Sequence, residues 1–494
     1  MAEATTDGGL LLVVAVLLPF VAMLLGIAAG GRNLQRIAFF AMPLGMAVAV
    51  AIFFSWLHEP GSVVYQLGGW APPLGIALRA DGAAVSMLLA VAFVVCGIGV
   101  FARGDFDTPR GGAESRAPFS YWLLLLAVWG SLNLVFVSGD LFTLYIALEL
   151  LTFAGVPLVC LTGSGETLRA ALRYLLFALS GSVLYLLGAV LLYGGYGTLD
   201  IPLLAGRVGA EPIAWTALAL MTVGLAAKTA LFPLHLWLPP AHGGAPAAAS
   251  AVLSALVIKG SWFLVVRLWF DAMPGVVTMP SAQLLGALGA GAILFGNALA
   301  LRQLRLKMLV AYSTVAQIGY LFLMFPLAFD AAAGRIADGL AYSGGLMHAV
   351  SHATAKSAMF MAAGSIYSAL GHDRIADLAG VARALPISVF AFGLGGISLV
   401  GLPPAGGFLA KWWLLSAAVE SAQWWWALVL LAGGLLTAAY LFAVLSRTLL
   451  RPAAPLTLRA PVARSRELAT LALALASVLL GLVAFVDLRA LGAA

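Results

Sequence analysis

The fold class this sequence predicts is an all-α polytopic membrane protein of about fourteen transmembrane helices, with two inverted five-helix repeats and broken seventh and twelfth helices. Three observations predict it: an extreme apolar composition, apolar runs of membrane-spanning length, and paired motifs at one constant offset. Of the 494 residues 63% are apolar and 9% charged, with a mean hydropathy of +1.05, against roughly 45–50% and about 25% in soluble domains. One aqueous core of that size would pass the usual limit of about 250–300 residues, whereas lipid solvates apolar surface from outside. The formal charge of +6, from 26 basic and 20 acidic residues, then reads as membrane topology and not as affinity for nucleic acid. Cys96 and Cys160 both lie inside apolar runs. That leaves no disulfide framework and no thiolate cluster, so iron–sulfur and zinc chemistry are excluded and no cofactor or metal is expected.

Apolar runs fall near residues 8 to 30, 34 to 57, 82 to 102, 119 to 138, 140 to 163, 170 to 194, 213 to 237, 245 to 268, 281 to 300, 307 to 329, 339 to 370, 386 to 419, 423 to 446 and 468 to 488. Only Glu3 and Asp7 carry charge before the first run; with no basic n-region it is expected to stay as the first helix. Residues 1–118 hold the first three helices, 119–268 one five-helix repeat, 281–446 the second, and 447–494 a basic loop with the last helix. Loops after odd-numbered runs carry 17 of the Lys and Arg residues, and the termini with the even loops carry 5. This bias makes the odd loops cytoplasmic and places both termini outside.

The repeat rests on spacing. Arg173-x-x-x-Phe177-x-x-x-Gly181-Ser182 recurs as Lys356-x-x-x-Phe360-x-x-x-Gly364-Ser365, and Gly224-x-x-Ala227-Lys228 as Gly407-x-x-Ala410-Lys411, all displaced by 183 residues. Five helices separate the copies, an odd number, so the second copy is expected upside down in the bilayer.

Charge inside the runs carries the chemistry. Four of the five lysines, Lys228, Lys259, Lys356 and Lys411, fall within apolar runs, whereas the 21 arginines keep to run ends and loops. Arginine cannot release its proton in a protein and lysine can, so the pattern selects for protonation change. Glu149 is the one acidic residue squarely in mid-helix. A charge at a helix centre costs about 2.5–3.5 kcal/mol, and one carboxylate cannot neutralise four amines, which favours a polar relay over a structural ion pair. Pro233 follows Lys228 by five residues, and Gly401-Leu-Pro-Pro-Ala-Gly-Gly407 precedes Lys411; irregular backbone at membrane depth survives only where protein or water satisfies it. His348, His352 and Lys356 form an i, i+4, i+8 stripe on one helical face, suited to passing protons and lacking the glutamate of a zinc protease. His235 and His242 flank the turn Leu236-Trp-Leu-Pro-Pro-Ala-His-Gly-Gly-Ala-Pro246 and are candidates for a gate at its outer face.

These residues resemble the antiporter-like proton-channel subunits shared by respiratory complex I, membrane-bound hydrogenases and multisubunit Mrp cation/proton antiporters. The resemblance covers residues 119 to 446. It rests on Glu149, Lys228-Thr-Ala-Leu-Phe-Pro-Leu-His-Leu-Trp-Leu-Pro239, Ala241-His-Gly-Gly-Ala-Pro-Ala-Ala-Ala-Ser-Ala-Val-Leu-Ser254 leading to Lys259, Lys307-Met-Leu-Val-Ala-Tyr-Ser-Thr-Val-Ala-Gln-Ile-Gly-Tyr320, the His348/His352/Lys356 stripe, and Gly401-Leu-Pro-Pro-Ala-Gly-Gly-Phe-Leu-Ala-Lys411. It implies that Glu149 and Lys228 form a gating pair, that Lys259 is the central relay and that Lys411 leads to the opposite side. Lys411 in place of glutamate resembles complex I chain N or the Mrp D type. The end at Ala494 is not that of the longest complex I type, which adds a lateral helix, and no acidic residue follows Leu238-Pro. The implied partners are other membrane subunits and the bilayer of a bacterial inner membrane; the implied cargo is protons, with Na+ in the antiporter branch. With no Gly-x-Gly-x-x-Gly fingerprint, redox chemistry would have to come from those partners. A self-contained secondary transporter coupling a solute or cation to protons is the alternative.

Overall fold

The computed structural model describes residues 4–58, 61–108, 115–452 and 456–485. Glu3, Arg110, Arg489 and positions 486 to 488 of the expected last helix lie outside the described residues. The chain is a polytopic helical protein: twelve described helices are long and apolar enough to cross a membrane. In chain order the helices that matter here are α1 (Leu10–Ala29), α2 (Gly31–His58), α3 (Gly82–Ala102), α4 (Arg116–Val137), α5 (Leu141–Val159), α6 (Gly165–Tyr196), α7 (Pro212–Thr229), α8 (Leu238–Gly244), α9 (Ala247–Ala272), α10 (Met279–Leu301), α11 (Leu306–Leu327), α12 (Leu340–Leu370), α13 (Pro386–Val400), α14 (Gly406–Glu420), α15 (Trp424–Leu449) and α16 (Arg464–Leu479). The other two of the fourteen expected runs map onto α12, whose His348, His352 and Lys356 lower its hydropathy, and onto the pair α13 and α14. A two-stranded antiparallel hairpin, β1 (Val63–Gln66) with β2 (Ala77–Ala80), pairs Val63 with Ala80 and Gln66 with Ala77 between α2 and α3.

Local chemistry sets the helix starts. The Asp81 side chain accepts from Ala84 N at 2.8 Å to open α3, and Asp140 accepts from Phe142 N and Thr143 N at 2.9 and 2.8 Å to open α5. Each satisfies backbone donors that a helix start leaves without partners. Close helix approach depends on two glycine pairs. A Cβ on Gly224 would lie 2.3 Å from Gly181 O, packing α7 on α6, and one on Gly319 would lie 2.3 Å from Gly289 O, packing α11 on α10. Such small-residue contacts let helix backbones meet where lipid supplies no hydrophobic drive.

The centre is α9 and α11. The apolar window of α9 is 100% buried and that of α11 89%, against 33% for α1. Two stretches of α9, Leu253–Val257 and Arg267–Ala272, are π-helical and bracket the regular segment that carries Lys259. Each break separates two helical pieces, α7 from α8 and α13 from α14, with α8 lying past the end of the expected run at 237. α7 ends where Ala230 takes a left-handed conformation (φ 60°), with Pro233 three residues on; α13 ends at left-handed Gly401 (φ 89°), with Pro404 three residues on. The breaks therefore lie 171 residues apart, and the 183-residue register expected from the lysine motifs does not superpose them. Lys228 sits two residues before its break and Lys411 ten after. The motif match followed small residues around the lysines, whereas the break follows the proline and the αL residue before it.

Candidate functional site

Nine residues into α5, Glu149 faces α6 and α7. Its Oε1 accepts from Lys228 Nζ at 2.9 Å and also from Ser182 Oγ, while Lys228 Nζ donates to Thr152 Oγ1 at 2.9 Å. The side chains are 15% and 5% exposed. The close approach expected of this pair is present, with two hydroxyls added to it. Gly181 matters directly, since a Cβ there would come within 3.2 Å of Lys228 Cγ. At the break, Leu231 N donates to Ala226 O at 3.0 Å and Trp237 Nε1 to Ala227 O at 2.9 Å. The carbonyls released by the end of α7 are thereby satisfied inside protein, as the bilayer requires.

From Lys228 the next residue leads inward. Thr229 Oγ1 donates to Ser261 Oγ at 2.9 Å, joining the end of α7 to the turn of α9 that bears Lys259. Lys259 is 1% exposed; its Nζ lies 2.8 Å from Ser254 O, to which it donates, and 2.5 Å from His352 Nδ1. The rings of His352 and His348 are 5.9 Å apart between centroids. His348 Nε2 lies 3.2 Å from Gln317 O, and its ring is 5.4 Å from that of Tyr320. Tyr320 leads to Lys411, whose Nζ stands 4.0 Å from the Tyr320 ring centroid and donates to Leu399 O and Val400 O at 2.6 and 3.2 Å. Gln317 Nε2 donates to the same Leu399 O at 3.3 Å.

The stripe on α12 divides. His348 and His352 join the row, but Lys356, fully buried, turns to α11, donating to Val310 O at 3.0 Å and to Ser313 Oγ. The two gate candidates do not share neighbours. His235 packs its ring on Phe232 and Phe295, and His242, fully buried, on Trp237 and Phe360. Their turn is anchored to the start of α11. Lys307 Nζ, at the start of α11, donates to Ala245 O, and Asp373 accepts from Arg305 Nε at 2.9 Å and from Lys307 N at 3.1 Å. The turn thus lies at the end of the bundle carrying Arg305 and Arg374.

Sequence reasoning missed Thr152, Ser182, Ser261, Gln317 and Tyr320. Ser182 stood in the repeat motif and Gln317 and Tyr320 in the motif of α11, but hydroxyls, amides and aromatic rings are common in helices, and spacing alone gives them no role. Two cavities of about 440 and 470 Å³ open between α3, α12 and α14 and beside the break of α7; their linings, including Phe93, Leu346 and Trp413 in one and Trp215, Phe232 and Leu284 in the other, are mainly apolar and include none of the lysines. Among the described residues no group of three or more His, Cys, Asp or Glu forms a metal site.

The sequence matches the family described as NADH:quinone oxidoreductase/Mrp antiporter, TM, over residues 138–437. It is 35% identical to the N-type component of the NADH-quinone oxidoreductase of Desulforudis audaxviator, over 78% of this chain and 75% of that protein. It is 30% identical to the D-type component of the Na(+)/H(+) antiporter of Alkalihalophilus pseudofirmus, over 81% and 79%. The fold is similar to a chain of the Mrp complex from Dietzia sp., with a TM-score of 0.88 at 24% identity, covering 99% of this chain and 97% of that one. It is also similar to a chain of respiratory complex I from Thermus thermophilus, with a TM-score of 0.81 at 25% identity, covering 97% of each.

Proposed function

Because the chain belongs to the NADH:quinone oxidoreductase/Mrp antiporter transmembrane family, we propose that it is a proton-translocating, non-redox membrane subunit of a multisubunit ion-pumping complex of the Mrp or complex I kind. Its partners are other membrane subunits, and it sits in a bacterial inner membrane with both termini outside, an orientation supported by the arginine distribution. Protons pass along Glu149, Lys228, Lys259, His352, His348 and Lys411, with Lys356, His235 and His242 beside the row; Na+ is a second cargo if the complex is an antiporter.

The observation that carries the reading is the 2.5 Å contact between Lys259 Nζ and His352 Nδ1 deep in the protein. A hydrogen bond needs one donor and one acceptor, so one of these two nitrogens donates to the other. Two titratable bases in direct contact across two helices, with no carboxylate between them, support a transfer step over a structural ion pair. Toward the break, Thr229 Oγ1 donates to Ser261 Oγ two residues along from Lys259, and toward Lys411 the His352 ring stands 5.9 Å from that of His348. The Glu149 carboxylate at one end holds Lys228 until a proton redistributes, because removing one partner of a buried pair leaves an uncompensated charge.

The test is proton flux in membranes bearing the full chain with its partner subunits. Glu149→Ala is expected to lower flux on the order of a hundredfold, the scale of a lost proton-transfer group, while insertion and assembly stay normal. Wild-type flux in correctly assembled Glu149→Ala membranes overturns the reading.

A further inference from the structure

We propose that Tyr320 is the positioning residue of Lys411: the face of its ring, where Lys228 has a carboxylate, holds the ammonium form of Lys411 within the buried row. The inference rests on the proton-translocating reading and assigns a group to the step at which the row ends.

The two break lysines are solvated in different ways. Lys228 has Glu149 at 2.9 Å. Among the described residues no carboxylate lies within ion-pair distance of Lys411; its amine has the carbonyls of Leu399 and Val400, both in the last turn of α13, and the Tyr320 ring 4.0 Å from Nζ. An ammonium within about 6 Å of an aromatic face is attracted by the ring quadrupole, most strongly where water is excluded. Tyr320 is 0% exposed and Lys411 9%, so little water competes.

The ring is built into place. On one side it meets the His348 ring at 5.4 Å. At its far end the hydroxyl fits against Gly433, where a Cβ would stand 2.3 Å from Tyr320 Oη. The hydroxyl makes no hydrogen bond of good geometry, with the Thr437 hydroxyl as its polar neighbour, whereas the ring face meets the Lys411 amine directly.

The chemistry gives the ring a purpose that a carboxylate cannot serve. A carboxylate beside Lys411 would stabilise the ammonium and also accept its proton. The ring face attracts the ammonium and has no lone pair to take the proton, so a proton arriving from the His348 side is held on Lys411 until it leaves along the second half-helix. Lys411 keeps its charge with no carboxylate in contact to take the proton.

The test is proton flux in membranes bearing the full chain and its partner subunits, with 320 replaced by leucine, by phenylalanine and by phenylalanines carrying one, two and three ring fluorines. Fluorine drains the ring face of negative charge while leaving its shape nearly unchanged. Tyr320→Phe is expected to retain flux within about twofold, Tyr320→Leu to lose roughly thirtyfold, and the fluorinated series to decline with each added fluorine. If the leucine variant fails to assemble, the fluorinated series, which preserves packing, decides the matter. A flat fluorine series, or Tyr320→Phe as impaired as Tyr320→Leu, overturns the role of the ring face while leaving the proton-translocating reading standing. Absence of flux in the wild-type membranes themselves instead overturns that reading.

Discussion

At Lys259 the choice between lysine and arginine separates two accounts of a buried cation. Arginine keeps its proton in any protein environment, whereas the contact of Lys259 with His352 and Ser254 O works as a relay only if the amine gives its proton up. Lys259→Arg is therefore expected to assemble but to lose flux on the order of a hundredfold, measured against total chain in the membrane; full flux in that variant would leave only a structural role. These charged residues were legible in the sequence because their cost in lipid is high enough that each one needs a reason. Thr152, Ser182 and Tyr320 were not, because a hydroxyl or ring in a helix costs little and signals nothing until its neighbour is known. Lys356 shows the converse limit. Its helical spacing puts it in line with His348 and His352, yet its length lets the amine bend to Val310 O and Ser313 on α11. Spacing fixes the face of a helix from which a long side chain starts and leaves its end point to the neighbours.

The two breaks make the same demand on backbone and meet it with different residues. A non-glycine residue in the left-handed region costs about 1–2 kcal/mol, which Ala230 bears and Gly401 does not. Ala230→Gly is expected to leave the midpoint of thermal unfolding in detergent unchanged or raised, its relief offset by about 0.5–1 kcal/mol of added chain entropy. Gly401→Ala is expected to cost about 1–2 kcal/mol and to lower flux as well, because its Cβ would stand 2.8 Å from Lys411 Cδ and displace that side chain from Tyr320. Equal midpoints and equal flux in the two variants would contradict this assignment. The breaks themselves were legible from Pro233 and from the run Gly401 to Gly407. Their register was not, because the motif of small residues that recurs after 183 residues is dense in this composition, while the 171-residue spacing of the breaks is carried by one αL residue and one proline at each. The π-helical stretches of α9 left no mark in the sequence either. Every residue of Leu253–Val257 is buried on all sides, so the apolar pattern that would reveal a change of helical period is absent.

For the whole molecule the decisive fact is where each second half-helix points. α11 runs 22 residues from Leu306 to Leu327, about 33 Å at 1.5 Å per residue, so its ends stand near opposite faces of the bilayer. The turn after α8 is tied to one end, where Lys307 Nζ donates to Ala245 O, and the turn after α14 to the other, where Gln423 Nε2 donates to Pro326 O at 2.8 Å. The half-helices that follow the two breaks thus end beside opposite ends of α11, the arrangement an inverted repeat would produce. In the proposed function, the row from Glu149 to Lys411 takes protons from one side and delivers them to the other, crossing the middle laterally through Lys259 and the histidines. Gly244 and Glu420 are exposed at the ends of these two half-helices. In a chain with Cys96 and Cys160 replaced by alanine, Gly244→Cys is expected to react with a membrane-impermeant thiol reagent from the cytoplasmic side alone, and Glu420→Cys from the outside alone. Labelling of both from the same side would contradict the opposed half-channels. Labelling of Gly244→Cys only from outside and Glu420→Cys only from the cytoplasm would preserve the inversion but reverse the direction that the 17 to 5 distribution of basic residues assigns to the chain.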